Sequence, residues 1–185
     1  MAQWFWIVVV YSFFGYCLEK GFARAVNAPH QTRKCFLLLP LCPVYGLAMA
    51  AVSALTEPGM GFLPLAAVGG AVCTGVEYLV HLFYDRTVHT WFWDYRDMGG
   101  NVAGRICPQF ALIWGILSAL AVRWVQPWVE RAAAVVPPEV TYGLWLVLAA
   151  DGVLTWALLR RYRDPEALNW ARFRQLRASS QSSTS

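Results

Sequence analysis

Charge is scarce in this chain. Asp, Glu, Lys and Arg make up 14% of 185 residues, against about 25% in a soluble domain. That scarcity excludes an ordinary soluble fold. Several motifs are also missing. There is no G-x-x-x-x-G-K-[ST] loop, so any ATP hydrolysis must come from another protein. There is no H-E-x-x-H helix, no C-x-x-C pair and no Ser-His-Asp pattern. The five cysteines are odd in number and scattered, which does not read as a disulfide set. Cys42-Pro43 and Cys107-Pro108 with His81 make too sparse a donor set to assign a metal, and no cofactor is expected. The formal charge of +4 comes mostly from clustered arginines and requires no nucleic-acid partner.

What the chain does have is hydrophobic length: 58% of its residues are hydrophobic. Five apolar runs stand at about Trp4–Leu18, Phe36–Leu55, Phe62–Tyr84, Cys107–Val125 and Val140–Leu159. Each is near the roughly 20 residues that a spanning helix needs. The expected fold is therefore all-α, a polytopic integral membrane protein with five transmembrane helices in one domain over 1–159. A basic tail follows over 160–185, and its Ser-rich end reads as disordered. The first run does not resemble a signal peptide, because Met1-Ala2-Gln3 carries no positive side chain.

Lysine and arginine counts set the expected orientation. The first connection carries Lys20, Arg24, Arg33 and Lys34, the third Arg86, Arg96 and Arg105, and the tail six arginines up to Arg177. The second, around Glu57-Pro58-Gly59, has none, and the fourth has only Arg131. This pattern puts the N-terminus outside and the C-terminus in the cytoplasm. Trp4, Trp6, Trp124 and Trp128 then fall in the outer aromatic belt. The segment Arg160–Arg177 reads as an amphipathic helix drawn to anionic lipid.

Within this frame a few polar residues stand out. Glu77 and His81 are four apart inside the third run, where an acid at mid-span costs roughly 2.5–3.5 kcal/mol. They must face a partner, a cavity or a substrate. The orientation puts them in the inner half of the membrane, in one layer with Glu19, Asp94, Asn101 and Arg105. Arg105 or His81 is expected to pair with these carboxylates. Pro40 and Pro43 remove amide donors near the start of the second run, so that helix is kinked or partly unwound there. Asp151 is the deepest acid, a proton or cation site or a hydrogen-bond partner of Thr155 or of another helix. Gly69, Gly70 and Gly75 suit close helix packing.

The stretches Tyr11–Glu19, Leu41-Cys-Pro-Val-Tyr-Gly46, Thr74-Gly-Val-Glu-Tyr-Leu79, Trp93-Asp-Tyr95, Asn101–Cys107 and Trp114-Gly115 resemble the bacterial putative ABC-transporter type IV family, also called CmpB-like membrane proteins. The resemblance spans about Tyr11 to Leu117. It implies a permease-like transport component in the cell membrane, with a separate ABC ATPase docked on its cytoplasmic loops. It implies no substrate. The short chain suggests a homo-oligomer, since five helices enclose little pathway. Two rival readings stay open. One is an intramembrane enzyme acting on lipid, with Glu77 and His81 as acid and base. The other is a non-catalytic assembly or regulatory membrane protein.

Overall fold

The computed structural model describes residues 2–25 and 35–168, and the regular elements among them are all helices. The helices are α1 (Ala2–Ala25), α2 (Pro43–Leu55), α3 (Phe62–Val88), α4 (Pro108–Leu120), α5 (Gln126–Ala134) and α6 (Pro138–Tyr162). A π-helical turn, Ala121–Val125, joins α4 and α5, so Pro108–Ala134 runs as one helix of 27 residues. Arg33 and Lys34 of the first connection, and the tail beyond residue 168, lie outside the described residues.

Proline placement explains where helices begin. Pro43, Pro108 and Pro138 open α2, α4 and α6, and a first-turn amide has no helical partner to lose. Pro127 is the exception, lying inside a continuous helix. It lacks an N–H and its ring crowds the carbonyl four residues back. The π turn immediately before it absorbs that misfit by widening the helix locally.

Among the described residues, four helices are long and apolar enough to cross a membrane: α1, α3, the continuous α4–α5, and α6. The expectation of five full spans is thus corrected in one element. The second run yields a helix of only 13 residues, about 20 Å long, and Phe36–Leu39 at its start are not helical. Pro40 and Pro43 account for this, because neither can donate within a helix that begins earlier. The fourth run errs the other way. Its helix continues past Val125 to Ala134, where Gln126 and Glu130, one turn apart, share a hydrogen bond (2.9 Å).

Large apolar side chains point outward, as with Leu112 and Val153, each 72% exposed. Such a surface suits lipid, not water. Inside, contacts are close. α3 and α4 meet at Gly69, Gly70 and Gly115, where a Cβ on any of them would overlap the facing helix. This is small-residue packing of the kind membrane helices use. Gly75 takes no part, since a Cβ there would meet nothing. α6 is held by side chains: Trp6 Nε1 donates to Thr141 Oγ1 (3.0 Å), and Trp156 packs on Phe83 of α3.

Candidate functional site

α1 and the long α4–α5 helix close on each other at one end. There Ile7, Tyr11, Met49 and Val129 form a buried cluster, and the Tyr11 hydroxyl donates to the Ala121 carbonyl (3.4 Å). Toward the other end they flank a half-open groove of about 810 Å³. Phe14, Leu18 and Phe22 of α1 form one wall, and Phe110, Ile113 and Leu117 of α4 the other. Ala48 and Met49 of α2 and Cys73 of α3 form the floor. Glu19 and Glu77 are the only charged residues lining it among the described residues.

Each carboxylate is held by neutral donors. Glu77, 7% exposed, accepts from the Tyr95 hydroxyl (2.9 Å) and from Trp114 Nε1 (3.1 Å), one on each oxygen. Glu19 accepts from the Tyr45 hydroxyl (2.7 Å). Tyr45 can reach it because Gly15 lies under the ring, where any Cβ would overlap it. Tyr45, Trp114, Phe110 and Tyr95 touch in sequence, with centroids 5.5, 5.7 and 5.0 Å apart. Burial, and next the neighbouring Glu77 carboxylate, push the Tyr95 phenol well above its ordinary pKa.

His81 sits one turn from Glu77 but in different surroundings. It is 1% exposed and stands edge-on between Trp91 (4.7 Å) and Trp93 (5.1 Å). Its Nε2 lies 3.1 Å from the Trp93 carbonyl oxygen. His81 does not line the groove. It anchors the connection between α3 and α4, which folds back over the end of α3.

That connection is latched at several points. Arg105 pairs with Asp85 (2.7 Å), and Trp91 Nε1 donates to the other Asp85 oxygen (2.7 Å). The Arg105 guanidinium lies over Trp91 and Tyr78, 5.7 Å from each ring centre, and Trp93 Nε1 donates to the Arg105 carbonyl (3.0 Å). The expected pairing of Arg105 with the Glu19, Glu77 or Asp94 carboxylates is therefore corrected. Asp85 is nearer along the end of α3 and takes the guanidinium.

Asp94 pairs instead with Arg96, two residues on. Hydrogen bonds from Arg96 hold its carboxyl below the usual carboxylate range. Asn101 closes the turn, accepting from Gly104 N (3.0 Å) and donating to the Met98 carbonyl (2.7 Å). Gly104 is required there: its φ is +69°, and a Cβ would strike Asp94 and Arg96. The six residues expected in one polar layer thus separate. Glu19 and Glu77 share the groove, while His81, Asp94, Asn101 and Arg105 build the cover beside it.

Asp151 has a third setting. Its two oxygens accept from the amides of Leu38 (3.2 Å) and Leu39 (3.1 Å), so its partner is the non-helical stretch ahead of Pro40 and not Thr155. Non-helical backbone at membrane depth is tolerated only where protein or a cavity satisfies it. Asp151 does so from the middle of α6. The Cys42 amide is likewise taken by the Ser12 carbonyl of α1 (2.8 Å).

Sequence reasoning missed Asp85, Arg96, Tyr45 and Trp114. The last two lie within the stretches that carry the resemblance, but nothing in a single sequence marks them as donors to buried acids. Cys42, Cys107 and His81 do not converge; no three His, Cys, Asp or Glu side chains gather as metal ligands among the described residues.

A family model described as Putative ABC-transporter type IV matches residues 6–156, extending the resemblance through most of α6. No curated protein and no solved structure matches the chain.

Proposed function

The chain belongs to the family described as Putative ABC-transporter type IV, and from that premise we propose that it is a permease-like transport component of the bacterial plasma membrane. Its solute site is the groove between α1 and α4, in the cytoplasmic half of the bilayer, with the N-terminus outside and the C-terminus inside. α2 and the non-helical stretch before it together make the fifth crossing. A separate ATPase docks on the cytoplasmic connections, since the chain has no phosphate-binding loop of its own.

The observation that carries this reading is the pair Glu19 and Glu77 lining an otherwise apolar groove of about 810 Å³. Ligand sites are typically concave, mostly apolar and marked by few polar groups. A carboxylate in a spanning helix faces a bundle interior or a pathway, and Glu77 does so without an ion-pair partner among the described residues.

The test is reconstitution of the full chain with its ATPase in proteoliposomes, followed by flux measurement over a panel of solutes. Glu77→Gln is expected to abolish flux while leaving the unfolding temperature in detergent nearly unchanged. A Glu77→Gln protein that transports normally, or that only loses stability, overturns the assignment.

A further inference from the structure

The lining of the groove selects a class of ligand. Among the described residues its only charged groups are the carboxylates of Glu19 and Glu77, and no described Lys, Arg or His lines it. The two ion pairs among the described residues, Arg96–Asp94 and Arg105–Asp85, lie outside it. Both carboxylates have only neutral hydroxyl or indole donors. A desolvated carboxylate without a counter-charge is costly, so the groove is complementary to a positive charge supplied by its occupant.

The rings supply a second, independent argument. Tyr45, Trp114, Phe110 and Tyr95 form a continuous aromatic wall beside the acids. Aromatic faces attract ammonium groups, and quaternary ammonium recognition is their typical use. Away from this corner the walls are aliphatic and aromatic, and the groove is open along one side. They suit an alkyl or aryl tail.

We infer that the groove binds a single-chain cationic amphiphile, its ammonium head between Glu19 and Glu77 and its tail along α1 and α4. This rests on the transport reading of the same groove. Anionic amphiphiles, whose head would face the two carboxylates, are disfavoured by like-charge repulsion.

The experiment is equilibrium binding to the full chain in nanodiscs of zwitterionic lipid, with empty discs as blanks. The probes are dodecyltrimethylammonium and dodecyl sulfate, each below its micellar concentration. They share a tail and differ in the sign of the head, and the fixed ammonium charge removes titration of the cationic probe as a variable. Saturable binding is expected for the cation alone. Glu77→Gln should weaken it about tenfold or more, equivalent to about 1.4 kcal/mol. Glu19→Gln, at a half-buried site, should weaken it as well and serves if Glu77→Gln does not fold.

Equal binding of both probes, or unchanged binding in both folded variants, overturns the inference and leaves the groove a lipid-filled surface. A tightly held bilayer phospholipid recovered with the protein, displaced by neither probe, overturns it too. Cation binding without flux would sink the transport reading and keep the ligand class. Glu77-dependent flux of an anionic or neutral solute would do the reverse.

Discussion

Glu77 and His81 lie one helical turn apart on α3, yet one borders a groove and the other is sealed in a loop. At 3.6 residues per turn, a step of four keeps both on nearly the same face. The difference comes from what lies against that face. The α3–α4 connection brings Trp91 and Trp93 over His81 and only a hydroxyl, that of Tyr95, to Glu77. A polar side chain inside an apolar helix is therefore not a site by itself. It becomes one where the covering segment stops and a cavity begins.

The cover can be broken to test that contrast. Trp93→Ala removes the lid over His81, the bond to the Arg105 carbonyl and part of the groove wall. A loss of about 3–5 kcal/mol is expected for truncating a packed tryptophan, read as a lower midpoint in denaturant unfolding. A near-neutral result would mean that the connection does not hold His81.

A smaller effect is expected farther from the groove. Asp151→Ala leaves the Leu38 and Leu39 amides without their acceptor, at about 1–3 kcal/mol for the pair's lost satisfaction. Hydrogen exchange of those amides should rise sharply, while Asp151→Asn, which keeps one oxygen, should fall between. Unchanged protection in Asp151→Ala would separate the non-helical stretch from α6.

The smallest effect belongs to the exposed Asp94–Arg96 pair, whose attraction is screened by solvent. Because the folded-state pKa of Asp94 is depressed, its contribution is complete above the ordinary value near 3.9 and disappears as pH falls through the lower folded value. Asp94→Asn should remove that acid dependence and little else, as measured by unfolding between about pH 2 and 5.

Much of the fold was readable as hydrophobic length, because four helices are simply long and apolar. The second was not, since Phe36-Leu-Leu-Leu39 has the same hydropathy whether helical or extended. Pro40 and Pro43 signalled the break, but its satisfaction by Asp151, more than a hundred residues on, is a tertiary fact. The extent of the fourth helix was hidden by Gln126, Glu130 and Arg131, whose polarity reads as a loop.

At the site, Glu77 within an apolar run and Glu19 at the end of another were legible, and their partners were not. Which acid takes Arg105 depends on how the connection folds back, and a count of charges in a layer cannot choose among Asp85, Asp94 and Glu77. Tyr45, Tyr95 and Trp114 look like ordinary interfacial aromatics until the helices are assembled.

The most direct measurement compares Glu77→Gln with His81→Gln in one preparation, with solute flux in proteoliposomes and unfolding temperature in detergent read for both. If Glu77 borders the working groove and His81 only anchors its cover, Glu77→Gln loses flux and keeps stability, while His81→Gln loses stability and keeps flux once folded. The opposite pattern, with flux lost in a stable His81→Gln protein and retained in Glu77→Gln, would place the working site on the sealed side and contradict the assignment.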